Sequence, residues 1–234
     1  SATPEADRIR VTDCFNHGRV VTGGTGGGLV GLGSYVVISK CYNAADMTAQ
    51  YGYIGGIIGY ASGWKNGQGP NAESGGCLVT DCYNTGNIDG GYKVGGIAGS
   101  VTTTSLITKS YHSGVITNAG DPSLVGGIAG SVADAQLISC VAAGKELTGA
   151  TVFRIAGEKT GTCTIENNYA LADTKVNGTE VTESDAASLN GMDKTAVELN
   201  SQAPYQTLNW DFEDTWVSVN GFLPVLNGIS EIPV

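Results

Sequence analysis

The chain has 234 residues, a net charge of −10 and only 15% charged residues, enough length for one sizeable core and too little charge for a disordered chain. Glycine is abundant at 36 residues without the Gly-X-Y period of collagen. The acidic balance disfavours nucleic acid and anionic lipid as partners, since both need clustered Lys and Arg. No run of about 18 apolar residues is present to span a membrane, and residues 1–10 are polar, like the trimmed start of a mature fragment, which leaves export open.

In chain order, one phrase repeats. Cys14-Phe15-Asn16-His17-Gly18 leads to Gly27-Gly28-Leu29-Val30-Gly31, and Cys41-Tyr42-Asn43 leads to Gly55-Gly56-Ile57-Ile58-Gly59. Cys82-Tyr83-Asn84-Thr85-Gly86 and Ser110-Tyr111-His112-Ser113-Gly114 lead to Gly95-Gly96-Ile97-Ala98-Gly99 and Gly126-Gly127-Ile128-Ala129-Gly130. A worn copy runs from Cys140 to Gly157, with Phe153 and Arg154 in place of the glycine pair, and half of a sixth stands at Asn168-Tyr169-Ala170. The segments are short, β-branched and punctuated by Gly, so they predict strands.

A unit of 27 or 28 residues built from strands cannot bury its own apolar face, so like units must stack. Stacking puts each repeat position in a column. Val11, Ile38, Val79, Ile107, Leu137 and Ile165 form an aliphatic column three residues before the Cys column; a Phe/Tyr column and an Asn/His column follow it. Simple in/out alternation does not connect the aliphatic and Cys columns, so a bend or bulge is expected between them. The paired glycines predict tight corners needing positive φ or close backbone approach. Asp13, Lys40, Asp81, Lys109, Ser139 and Asn167, just before the Cys column, read as a solvated ladder of alternating charge. The cysteines, at equivalent positions and without CxxC spacing, predict a column of buried thiols rather than bridges or a zinc site.

Between the second and third repeats the spacing jumps from 27 to 41 residues, with the extra length around 61–76. Loops on solenoids carry function more often than rungs do. The candidate ligand-binding residues are therefore Trp64, Lys65, Asn66, Gln68 and Asn71, with Trp64 either a sugar-stacking platform or a lid on the core. From Glu158 the pattern decays, and 171–234 predict a mixed cap over the open end. Ser184 to Asn190, stopped by Gly191, predicts a short helix, and Asp193 to Leu199 a second. Trp210, Phe212 and Trp216 would then plug the stack. The fold expected is all-β: a parallel β-helix of about six rungs over 1–170, capped by 171–234.

The Val/Ile-Gly-Gly-Ile-Ala-Gly phrase and the Cys-Tyr-Asn-Thr-Gly phrase before it resemble the repeats of the GLUG-motif family. The closing Trp-Asp-Phe…Trp…Gly-Phe-Leu-Pro-Val-Leu is similar to the tail that often follows them. The resemblance implies a right-handed β-helix in an extracellular or cell-surface bacterial protein, such as an adhesin or an immunoglobulin A peptidase of the M26 type. It implies no catalytic residues, and the peptidase's His-Glu-x-x-His motif is absent from this sequence.

His17 and His112 fall in different columns and indicate no dyad or triad, and no Asp-x-Asp loop supports calcium. No enzyme activity, cofactor or metal is expected. The reading is a monomeric surface or secreted scaffold for adhesion, with a glycan or a host surface protein as partner. The alternative is a carbohydrate-active β-helix enzyme, a lyase or glycosidase, or an accessory domain of an exported peptidase. An enzyme would reveal itself by a groove holding two carboxylates, or a carboxylate beside Lys or Arg, from neighbouring rungs.

Overall fold

A computed structural model describes residues 8–66 and 73–229. The chain repeats a set of four strands, which in the third turn are Leu78–Asn84, Ile88–Gly90, Lys93–Gly95 and Ala98–Thr102; the first of the set is split in two in the first, fourth and fifth turns. Each pairs in parallel with its equivalents in the turns before and after. Val79 lies between Ile38 and Ile107, and Tyr83 between Tyr42 and Tyr111. The repeat register holds from Ile9–Thr12 to Thr164–Glu166, six strands along one face, so the fold is a parallel β-helix of about six turns.

The interior is the aliphatic and thiol columns. Ile38, Val79, Ile107 and Leu137 have no exposed surface, nor do Cys41, Cys82 and Cys140. All six cysteines are free thiols. Side chains of this column also take the place of backbone partners: Cys14 N–H donates to Cys41 Sγ at 3.4 Å, and Cys82 N–H to the Oγ of Ser110, the column's serine, at 3.2 Å. Apolar burial along these columns is the main stabilising term of the stack.

The expected bend between the two columns is a left-handed residue. Asp13, Lys40, Asp81, Lys109, Ser139 and Asn167 all have φ between 45° and 59°, and each lets the aliphatic residue before it and the Cys-column residue after it face inward together. Asp and Asn accept this conformation at low cost, whereas Lys does so against its preference. The paired glycines serve the other purpose. None of them lies in the left-handed region, and a Cβ on Gly96 would come 2.2 Å from both the Gly127 carbonyl oxygen and His112 Cγ. Close approach between turns, not positive φ, requires glycine there.

Arg154 breaks that rule where the rule lapses. Below it, Asn43, Asn84 and His112 press on Gly28, Gly56 and Gly96, and a Cβ on Gly127 would meet Ala142 Cβ at 2.9 Å; opposite Arg154 the column holds only Ala170, whose small side chain leaves the space open. The fully buried Arg154 guanidinium occupies it, donating to the carbonyls of Asn190, Leu171, Glu183 and Gly191 and pairing with Asp193 at 2.7 Å. Every accepting group comes from the sixth turn or from the segment that closes the stack.

That closure is not helical over Ser184 to Asn190. The segment is a series of turns whose Leu189 carbonyl accepts from Ile155 N–H at 2.8 Å, because its backbone must satisfy the edge of the last turn rather than its own helix. Met192–Lys194 then pairs in parallel with Tyr169–Leu171. The second expected helix shrinks to α1 (Ala196–Leu199), started by a Thr195/Glu198 capping box, and a further helix α2 (Ala203–Thr207) follows. From there the chain runs back along the outside of the solenoid. Trp210 and Trp216 bury themselves against its flank, not its end, and Trp216–Val217 pairs antiparallel with Val225–Leu226. Among the described residues no helix is long and apolar enough to cross a membrane.

Candidate functional site

The flank that receives the tail is the aromatic column. Phe15 stacks on Tyr42 (ring centroids 5.4 Å apart), Tyr42 on Tyr83 (4.9 Å) and Tyr83 on Tyr111 (5.0 Å). In-register strands one rung apart make this spacing, and offset-stacked rings are favourable at it. The tail covers the middle of the ladder. Trp216 Nε1 donates to Asp81 Oδ1 at 3.1 Å and Trp210 Nε1 to the Ser139 carbonyl at 3.0 Å. The charge column expected to be a solvated ladder is thus partly a docking rail: Asp81 and Lys109 are half-buried and Ser139 is buried.

At the first two turns the tail lifts away and leaves a recess of about 440 Å³. Its solenoid side is Asp13, Cys14, Phe15, His17, Lys40 and Tyr42, and its tail side runs through Asp214 and Thr215 to Leu226–Ile229. Phe15 is 63% exposed. The His17 ring stands edge-on to Phe15 and Tyr42, with Nε2 2.9 Å from the Tyr42 hydroxyl. Asp211 shapes the opposite rim by accepting from the amides of Glu213 and Asp214 and from the Thr215 hydroxyl. The Asp214 and Glu213 amides and that hydroxyl hold its carboxyl below the usual range, and the Lys40 charge adds to this. Stacked rings as floor with acids and an amine at the rim suit a ligand with one apolar face and several hydroxyls.

Behind the aromatic column runs an amide ladder. Asn16 Nδ2 donates to Asn43 Oδ1 at 2.8 Å, Asn43 Nδ2 to Asn84 Oδ1 at 2.7 Å, and Asn84 Nδ2 lies 2.9 Å from His112 Nδ1. Each Asn also bonds the backbone two residues ahead. His112 ends the ladder with no exposed surface, and desolvation pushes its pKa down to about 4. It is a neutral, structural imidazole, as its place in the column suggested.

Of the candidates read from the insertion, Gln68 and Asn71 lie outside the described residues, as do the side chains of Trp64, Lys65 and Asn66. The backbone places Trp64–Asn66 in a hairpin, antiparallel to Glu73–Gly75, with Trp64 opposite Gly75. Sequence reasoning missed the recess because half of it is tail. Phe15, the first ring of its column, was the available signal.

Neither a family model nor a curated protein sequence matches the chain, so the GLUG resemblance rests on the repeats themselves. A solved structure from Bacteroides ovatus, named as a candidate immunoglobulin A1 protease, is 21% identical with a TM-score of 0.49, over 89% of this chain and 74% of its own.

Proposed function

We propose that this chain is a rigid, non-enzymatic module of an extracellular or surface-held bacterial protein, displaying the recess at its first two turns as a binding site for glycan. The observation that carries the reading is the recess: an exposed Phe15 continuing a stacked tyrosine floor, rimmed by Asp13, Lys40, Asp214 and Asn227. A pyranose ring has the matching chemistry, with a C–H face for the aromatic floor and hydroxyls for the rim. The solenoid behind it suits display, since each turn is fixed by its neighbours.

One observation favours the enzymatic alternative. Asp13 and Lys40 come from adjacent turns and share the recess with Asp214, which is the grouping a carbohydrate-active site would need. Both carboxylates are exposed, whereas glycosidases enclose the carboxyl that acts as acid.

A glycan array with the purified chain, beside Phe15→Ala and Trp64→Ala variants, tests the reading. Binding lost in Phe15→Ala and kept in Trp64→Ala supports the recess, and the converse moves the site to the insertion. Release of reducing ends or unsaturated sugar from a bound glycan, abolished by Asp13→Asn or Asp214→Asn, would replace the display reading with the enzymatic one.

A further inference from the structure

The two ends of the solenoid are treated differently. At the far end, 184–194 satisfy the last turn: Leu189 packs on the core and Met192–Lys194 adds a strand. At the near end, the turn formed by residues 9–34 shows solvent positions that the second turn buries. Ile9 is 71% exposed where its partner Val36 is 5%, and Phe15 is 63% exposed where Tyr42 is 9%. Cys14 is exposed beside a fully buried Cys41. Val11 and Val30 are half-buried, while Ile38 and Ile58 have no exposed surface. Strand edges with apolar side chains are pairing templates, and natural proteins shield them.

We propose that this end is an interface completed by one further solenoid turn, running parallel to residues 9–34 and carrying the same columns. The contacts above it specify its chemistry. An aliphatic residue stacks under Val11, and a planar ring under Phe15 at the ladder's spacing of about 5 Å. The backbone N–H before that ring donates to Cys14 Sγ, as Cys14 N–H does to Cys41 Sγ. An Asn donates its amide to Asn16 Oδ1, which accepts locally from Gly18 N–H at 3.0 Å and has a second lone pair. A second copy of the chain does not supply this turn in parallel, because its far end is closed by 184–194. The recess lies on the flank, so the added turn lengthens its floor by one ring; the interface is independent of the ligand assigned to the recess.

The test places a copy of residues 35–62 directly ahead of Arg8, in place of residues 1–7, so that Ser62 of the copy joins Arg8 at the register position where Ser34 joins Tyr35. A control carries Asp for both Ile38 and Ile57 of the added copy. The readouts are Cys14 labelling by a thiol reagent and amide exchange of Ile9–Thr12. Docking of the turn slows both by at least ~10-fold, and the control matches the unmodified chain. A copy of 76–103 serves as a second variant should the first disturb the fold, as read by circular dichroism. Labelling at the unmodified rate in a folded variant would overturn the proposal. So would a dimer of the unmodified chain that protects Cys14 and is broken by Phe15→Lys, since the occupant would then be a second copy.

Discussion

Lowering the pH should weaken this fold through His112, and replacing that residue by Asn should remove the effect. The imidazole is fully buried, lies with Nδ1 2.9 Å from Asn84 Nδ2 and 3.0 Å from the Asn84 carbonyl oxygen, and packs over Gly96. Its folded pKa is about 4 against 6.5 for the free side chain. Between those values the unfolded chain binds a proton that the native chain refuses, so stability falls as pH drops from about 6.5 to about 4 and levels off below. The difference of about 2.5 pH units corresponds to about 3 kcal/mol, or roughly 6–12 °C in Tm for a chain of this size. An Asn at 112 meets Asn84 and Gly96 as Asn84 itself meets Asn43 and Gly56, and it carries no titrating group. Denaturant unfolding of both proteins at pH 7, 6, 5 and 4 isolates the contribution, because His17 and the carboxylates are common to both and cancel. Wild type should lose about 3 kcal/mol relative to His112→Asn across that range. Parallel pH profiles would refute the neutral, desolvated imidazole.

Three further outcomes are expected. Gly96→Ala should cost about 3 kcal/mol in denaturant unfolding, the upper end for overpacking, because the atoms it meets include backbone, while Gly23→Ala, with nothing within 4 Å of its Cβ, should be close to neutral. Arg154→Gly restores the repeat consensus yet should destabilise by about 3–5 kcal/mol, because it strands buried carbonyls and Asp193; a raised Tm would show that the consensus outweighs the local network. Ile97→Asp places a charge where no surface is exposed and should abolish the cooperative melt by circular dichroism.

The columns made the solenoid legible. A parallel stack translates sequence period directly into contact, so Cys over Cys and Tyr over Tyr could be read without coordinates. Even the break in alternation before the Cys column was visible, although its form was not: nothing in a Lys or Asp announces a left-handed φ, and only its recurrence at one position marks it. The tail resisted reading because it belongs to no column. Ser184 to Asn190 carries helix-like end signals, but its backbone is taken by the edge of the last turn. Trp210 and Trp216 are plainly apolar, and which face of the solenoid they would cover depends on three-dimensional direction that local pattern does not encode. The recess, formed where that path ends, was hidden for the same reason.

The returning tail also bears on how the molecule answers mechanical load. A bare solenoid pulled from its C-terminal end sheds its turns one after another, each step breaking a single row of backbone hydrogen bonds. Here the strap reaches from the sixth turn back past Tyr111 and Tyr83 to Tyr42, anchored by indole bonds to the fifth turn at Ser139 and the third at Asp81. Peeling from that end must strip the strap before the turns it crosses can separate. Tension along the axis therefore meets the second to sixth turns as one mechanical unit, while the first turn, beyond the two indole anchors, is the link that yields separately.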